Sequence, residues 1–281
     1  MSIRFEDLKP AFGCRVAWDQ REDVFAPEAI AAIRDKLAER TVLVFAGLGL
    51  SDDEQVRFTD LIGERLALTA SINAQDVHEA IYQISLDRRV NPRPEYVYAT
   101  YFWHMDGISN DDVPPFATFL SCRTRAPKGG QTEFASTYAA YAGLPEEDRR
   151  DLESVRIIHS VRSGIVRAFG AEAPAEDPRA AGLVLRREHP AVWTHASGRK
   201  SLVIGSTAES VAGWPMPEGR ALIERLLEWS VQPDFTYRHD WREGDFVVWD
   251  NTGALHRVVP YAEDSGRLMH RTSIAGIEAV R

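Results

Sequence analysis

A mainly β chain carrying a helical layer, an α+β sandwich or barrel, is the architecture this 281-residue sequence predicts. Short β-branched and aromatic runs, bounded by Gly, Pro and Asp, recur from about residue 96 onward. Helical periodicity is confined to the N-terminal part and to insertions between those runs. No internal repeat of solenoid or propeller length is visible, and a decorated β barrel of this length is commonly one unit, so residues 1–281 are read as a single domain.

In PEAIAAIRDKLAER, residues 27–40, Ile30, Ile33 and Leu37 recur at helical spacing behind a proline suited to a first turn. TVLVFAGL then reads as a buried strand. SDDEQVRFTDLIGE opens with Ser51 and places Glu54 three residues on, a capping box that starts a second helix ending near Gly63. Residues 69–98 show no period and contain Asn91-Pro92-Arg93-Pro94, so they read as a long segment and a candidate lid before the strand in YFWHMDGISN, residues 101–110. PPFATFLSCRT and GGQTEF read as strands and STYAAYAGLPEEDRRDLE as one helix. The Ala-, Pro- and Gly-rich residues 163–182 read as a surface insertion. GRKSLVIGS is a strand, EGRALIERLLEWSVQ an amphipathic helix, FTYRHDWREGDFVVWDN two strands around a Glu-Gly turn, and GRLMHRTSIAG the last strand.

The formal net charge is −9 and no Lys/Arg run is long enough to track a phosphate backbone, which argues against nucleic acid as a partner. Two distant cysteines, Cys14 and Cys122, form neither a disulfide framework nor a zinc-ligand spacing. The start lacks a leader-like basic and apolar pattern, and no apolar stretch approaches the roughly 18 residues that span a bilayer. The expectation is a soluble, cytoplasmic protein with no membrane partner.

One short motif points to chemistry. On a strand His104 and Asp106 face the same way, so they can grip one ion, with His256 of VVWDNTGALHRVVPY as the candidate third ligand. Two histidines and a carboxylate make the facial triad associated with non-haem Fe(II) oxygenases. Alone the pair is weak evidence and reads more readily as a strand-end histidine beside a turn aspartate. Its company decides the matter: Arg267 and Arg271 share a face by strand periodicity, and two buried guanidinium groups on one face suit an anionic ligand better than core packing.

WHMDG, GGQT, WDNTGALHR and GRLMHR, in this order and at these separations, resemble the taurine dioxygenase and 2,4-dichlorophenoxyacetate dioxygenase family of Fe(II)- and 2-oxoglutarate-dependent oxygenases. The resemblance runs across nearly the whole chain and implies a double-stranded β-helix, or jelly roll, with flanking helices. It implies Fe(II) held by His104, Asp106 and His256, with 2-oxoglutarate as cosubstrate and O2 as oxidant. Arg267 would pair with the distal carboxylate of 2-oxoglutarate, Thr132 would donate a hydrogen bond to it, and Arg271 would lie near the cosubstrate and meet an acidic group of the substrate. Trp249, Asp250 and Asn251 match the family's WDN signature and would support the loop bearing His256. The implied reaction oxidatively decarboxylates 2-oxoglutarate to succinate and CO2 and hydroxylates a substrate carbon. The carboxylate at Asp106, where related halogenases have a small residue, favours hydroxylation or desaturation. If the hydroxylated carbon bears an ether, sulfate or sulfonate, the product collapses with C–O or C–S cleavage.

The substrate is expected to be a small anionic molecule, with Arg271, Tyr101 and Tyr98 as candidate contacts. Tyr101, Phe102 and Trp103 would shape the cavity or serve as core, and Tyr82 and Tyr96 join Tyr98 near the candidate lid. Acidic residues in ISNDD stand where an anion would approach, so a larger hydrophobic acid fits about as well as a sulfonate or aryloxyalkanoate. His159 and His195 read as pocket-lining or satisfied core residues, and His270 alternates away from the two arginines. A dimer or tetramer is expected from the family resemblance. The competing readings are a metal-binding jelly roll with redox-neutral activity and a 2-oxoglutarate sensor.

Overall fold

The computed structural model describes residues 3–67, 80–91, 94–109, 113–170 and 186–281, the side chain of Glu95 excepted. Strands β1 (Ile3–Asp7) and β2 (Cys14–Trp18) pair antiparallel and precede α1 (Pro27–Arg40), β3 (Val42–Phe45) and α2 (Asp52–Ile62). The central chain holds β4 (Tyr82–Ile84), α3 (Glu95–Ala99), β5 (Ala117–Thr124), β6 (Thr132–Ser136), α4 (Thr137–Gly143), α5 (Glu146–Leu152) and β7 (Arg156–Ser160). Next come α6 (Val161–Phe169), β8 (Arg186–Pro190), β9 (Val192–Thr194), β10 (Lys200–Leu202), β11 (Ala208–Val211) and α7 (Met216–Ser230). The chain closes with β12 (Thr236–His239), β13 (Phe246–Asp250), β14 (Ala254–Val258) and β15 (Leu268–Ile274).

Seven strands form the major sheet in the order β1-β2-β3-β13-β5-β15-β4, and β12-β6-β14 form a smaller antiparallel sheet. Alternation along the major sheet divides its side chains between two environments. Leu43, Phe45, Phe119, Phe246, Val248 and Ile274 face α1 and α2, where Ile33, Leu37, Phe58 and Ile62 cover them. Phe58 meets the Phe45 and Phe246 rings edge-on at 5.6 and 5.3 Å, a geometry aromatic quadrupoles favour. The alternate residues Val42, Val44, Leu120, Cys122, Val247, Trp249 and Met269 point the other way, against Phe134 and Ala254 of the smaller sheet. Two sheets closing over that interior give the jelly-roll core, mainly β with helices outside it.

The helix over 27–40 matches the spacing that predicts it. Ser51 and Glu54 form the expected reciprocal cap: Glu54 N donates to Ser51 Oγ (3.2 Å) and Ser51 N to the Glu54 carboxylate (2.8 Å). Other expectations need correction. The single helix read over 136–153 is two, α4 and α5, because Leu144 is extended (ψ 146°) before Pro145, as residues preceding proline prefer. The His104–Asp106 strand is a lone antiparallel bridge from His104 to His256, followed by a turn. Of GRKSLVIGS only Lys200–Leu202 is strand. Strands β1 and β2 extend the β content to the N-terminus, where only helices and one strand were expected. The surface insertion read over 163–182 begins within α6, which Ser160 caps by accepting from Ser163 N, while residues 171–185 lie outside the described residues. Of the candidate lid, residues 69–79 and 92–93 lie outside them too; its described part includes β4 and α3.

Candidate metal centre and anion cavity

His104 and His256 exchange both backbone hydrogen bonds at 3.0 Å, a narrow antiparallel pair that sends both side chains to one face. Their ring centroids lie 4.1 Å apart. Asp106, two residues on and past the bridge, turns its carboxylate to the same point: Oδ1 is 3.8 Å from Nε2 of each histidine. The three ligand atoms lie within 4.8 Å of one another. His104 Nδ1 donates to Phe102 O at 2.8 Å, which fixes the tautomer whose free lone pair is on Nε2, the nitrogen facing Asp106.

The protonation states suit a cation. Burial pushes the His104 imidazole down and His256 well below its ordinary value, leaving both neutral and able to ligate. Burial by itself would raise the Asp106 carboxyl, but the Arg271 guanidinium, with the hydrogen bond from the Thr118 hydroxyl, outweighs it and holds Asp106 below the usual carboxylate range. Two neutral imidazoles and an ionised carboxylate converging on one point fit a borderline divalent ion such as Fe(II).

Beside the triad a cavity is lined by His104, His256, Thr132, Trp249, Arg267 and Arg271, with Ile84, Thr100, Leu120, Arg257 and Val258 completing its wall. Arg267 is only 3% exposed and has no carboxylate within salt-bridge distance among the described residues. Its Nε donates to Gly130 O at 3.1 Å and its guanidinium lies over the Tyr261 ring at 4.9 Å, near the Tyr261 hydroxyl, so that its terminal amino groups meet no carboxylate among the described residues. Burial pulls the Arg267 pKa down, the mark of a cation held without a counter-charge. Gly130, at φ +76°, allows this approach, since a Cβ there would sit 3.0 Å from Arg267 Cδ and Nε. Thr132 accepts the Trp241 indole N–H at 2.9 Å, so its hydroxyl proton remains available. Arg271 is half-buried on β15, with Nη1 3.8 Å from Asp106 Oδ2 and its guanidinium 5.8 Å from the Tyr82 ring centroid.

Thus the structure gathers His104, Asp106, His256, Thr132, Arg267 and Arg271 around one space. Tyr98 and Tyr101 are not on the cavity wall: Tyr98 donates its phenol proton to Glu263 and packs edge-on against Tyr101 at 5.6 Å. Of ISNDD, residues 110–112 lie outside the described residues. His159 and His195 are buried away from the cavity, bonded to Thr207, and to Glu278 and Ser201. His270 points to the helical side, onto Asp52 at 2.7 Å. Within the WDN run Trp249 lies on the cavity wall, its ring 4.8 Å from that of His256. Asp250 holds the following turn through Thr252 N at 2.8 Å, and Asn251 donates to Thr118 at 2.9 Å. Thr118, Trp241 and Arg257 escaped the sequence reading. Strand alternation puts Thr118 on one face with Leu120 and Cys122, but nothing in the sequence says which face meets the candidate metal ligands.

The family model described as "Taurine catabolism dioxygenase TauD, TfdA family" matches residues 4–273. An alpha-ketoglutarate-dependent 2,4-dichlorophenoxyacetate dioxygenase from Burkholderia sp. (strain RASC) is 32% identical, over 98% of this chain and 95% of its own. An alkylsulfatase from Acinetobacter baylyi is 30% identical over 98% and 85%. Among solved structures, AAD-2 in complex with Mn(II) and N-oxalylglycine superposes with a TM-score of 0.82 at 27% identity, covering 99% of each chain. By the extent of these matches, the chain belongs to the TauD, TfdA family of dioxygenases.

Proposed function

We propose that this dioxygenase hydroxylates a carbon of a small anionic molecule at the centre formed by His104, Asp106 and His256. The enzyme is a 2-oxoglutarate-dependent non-haem iron dioxygenase, using Fe(II), 2-oxoglutarate and O2 and releasing succinate and CO2. The observation that carries the site assignment is the buried guanidinium of Arg267, unpaired with any carboxylate among the described residues, on the wall of the cavity that the two histidines also line.

When bound, the iron supplies activation of O2 coupled to decarboxylation of the 2-oxo acid. The chain's own residues bind and orient. Arg267 and the Thr132 hydroxyl hold the distal carboxylate of 2-oxoglutarate, a charge-assisted contact in a site where little water competes. His104 keeps Nε2 unprotonated through its Nδ1 bond to Phe102 O. Arg271, half-buried at the cavity, meets the acidic group of the substrate, whereas Arg257 on the same wall is already paired with Glu133 at 2.6 Å. Relatives named for a phenoxyacetate and for alkyl sulfates suggest an oxygen-linked carbon beside a carboxylate or sulfate, so that hydroxylation ends in C–O cleavage. Two free buried cysteines support a reducing cytoplasm, and a dimer or tetramer is the proposed assembly. Among the described residues no helix is long and apolar enough to cross a membrane.

The test is succinate release from the Fe(II)-loaded enzyme with a panel of aryloxyacetates, alkyl sulfates and larger hydrophobic acids, against uncharged analogues of each. Turnover confined to the anions supports the reading. Equal turnover of the uncharged analogues removes it.

A further inference from the structure

We propose that Thr118 and Asn251 are positioning residues that hold Asp106 to a single point of attachment, Oδ1, and so keep the remaining metal positions open. The inference rests on the metal-centre reading above and concerns two residues outside the ligand set.

The two oxygens of Asp106 have different surroundings. Oδ1 is equidistant, at 3.8 Å, from the Nε2 atoms of His104 and His256. Oδ2 is turned away from them, accepts the Thr118 hydroxyl at 2.9 Å, and has Arg271 Nη1 at 3.8 Å. An ionised carboxylate only accepts, so Thr118 must be the donor in that bond. With its one proton committed, Thr118 must accept in its 2.9 Å contact with Asn251, and the amide NH2 is the group facing it. The direction of the chain is therefore Asn251 to Thr118 to Asp106.

Both supports are rigid. Thr118 is fully buried on β5, opposite Trp249 of β13 and Ser273 of β15. The Ser273 hydroxyl, at 3.4 Å, is the longer and weaker alternative acceptor for the Thr118 proton. Asn251 is 1% exposed, and its backbone N–H bonds Phe116 O at 2.8 Å, tying the loop before His256 to the start of β5. One strand and one loop thus fix the side of Asp106 that faces away from the ligands.

The consequence is a count of metal positions. Two imidazoles and one carboxylate oxygen leave three positions of an octahedral ion, enough for a two-point 2-oxo acid and O2. A carboxylate freed at Oδ2 would rotate and chelate through both oxygens, leaving two. Loss of the Thr118 bond should therefore weaken 2-oxoglutarate chelation more than it weakens metal binding.

The experiment is anaerobic. Fe(II) affinity is measured by equilibrium dialysis, and 2-oxoglutarate is then titrated while the visible charge-transfer band of the chelate is followed. Wild type, Thr118→Val, Thr118→Ser and Asn251→Asp are compared. Outer ligand partners are worth about 10- to 100-fold. The expected result is a rise of about tenfold or more in half-saturating 2-oxoglutarate for Thr118→Val, with a smaller change in Fe(II) affinity. Thr118→Ser, which keeps the hydroxyl, should return to within about threefold of wild type. Asn251→Asp, whose carboxylate draws the Thr118 proton away from Asp106, should share the valine defect with Thr118 intact. A band titrating as in wild type in Thr118→Val and Asn251→Asp overturns the proposal, as does a serine variant no better than valine. If Thr118→Val does not fold, Thr118→Ser and Asn251→Asp decide alone. Absence of the band in wild type removes the metal-centre reading and this inference with it, whereas a wild-type band with unaltered variants removes only the inference.

Discussion

Replacing Arg267 with methionine, which keeps the length and apolar bulk of the side chain but not the charge, separates the cost of the cation to the fold from its use in binding. The guanidinium is 3% exposed, its Nε is occupied by Gly130 O, and the described residues offer it no carboxylate. Two terminal N–H bonds to a ligand carboxylate, at about 1.5–3 kcal/mol each for charged partners, amount to about 3–6 kcal/mol. At 1.4 kcal/mol per decade that is a loss of about 10²- to 10⁴-fold in 2-oxoglutarate affinity. The empty protein should respond differently. Methionine forfeits the bond to Gly130 O and the stacking on Tyr261, about 1–3 kcal/mol together, but relieves the burial of an unpaired charge. These oppose, so apo stability should change by less than about 2 kcal/mol. Thermal unfolding with Fe(II) under argon, with and without 2-oxoglutarate, reads both quantities. Wild type at a hundredfold excess over its dissociation constant gains about 2.7 kcal/mol, and Arg267→Met should gain almost none at that concentration. A variant stabilised by 2-oxoglutarate as wild type is would refute the reasoning. So would a variant whose apo form loses more than about 4 kcal/mol, since Arg267 would then be structural.

Trp241→Phe removes the indole donor that orients Thr132, and should weaken 2-oxoglutarate about three- to tenfold in the same charge-transfer titration; no change would show that Thr132 needs no orienting partner. Gly253→Ala would place a methyl 1.7 Å from the Tyr138 ring, in the turn between β13 and β14, and should cost about 3 kcal/mol or more in urea unfolding, with wild-type stability contradicting the close approach. His159 is held down to about 3 by burial, so its folded pKa lies below the unfolded value of about 6.5. The unfolded chain therefore takes up this proton first, and stability falls as pH drops from about 6.5 towards 3, by about 1.4 kcal/mol per unit for this one group. His159→Gln should flatten the stability curve over that window, and an unchanged slope would show that the buried imidazole is not responsible.

Much of the architecture was legible because its signals are local. The Ile30, Ile33, Leu37 spacing and the Ser51/Glu54 cap each lie within a few residues, and both helices formed where those signals put them. Pro145 is an equally local signal: it ends α4 and starts α5, where a single helix over 136–153 is the sequence expectation. The candidate ligand cluster was legible for another reason: His104 and Asp106 are two residues apart, and the arginines recur at strand period, so spacing alone suggested a shared face. What aligned His256 with them is a two-residue bridge between segments some 150 residues apart in the chain, which no local pattern encodes. Thr118 was illegible for the same reason. Its hydroxyl acquires meaning only when β5 lies between β13 and β15 and the loop bearing Asn251 folds over its start. Closeness in sequence is a weaker guide for the tyrosines: Tyr98 and Tyr101 precede the metal motif closely, but Tyr98 on α3 bonds Glu263 and is absent from the cavity wall.

The central claim is that His104, Asp106 and His256 bind one Fe(II) on which 2-oxoglutarate chelates beside Arg267. Its most direct test is anaerobic titration of the apoprotein with Fe(II), then with 2-oxoglutarate, recording metal stoichiometry and the visible charge-transfer band. One Fe(II) per chain is expected, with a band that is absent in His104→Ala and displaced to far higher 2-oxoglutarate in Arg267→Met. Stoichiometric Fe(II) binding without a band, or a band that survives His104→Ala, would contradict it.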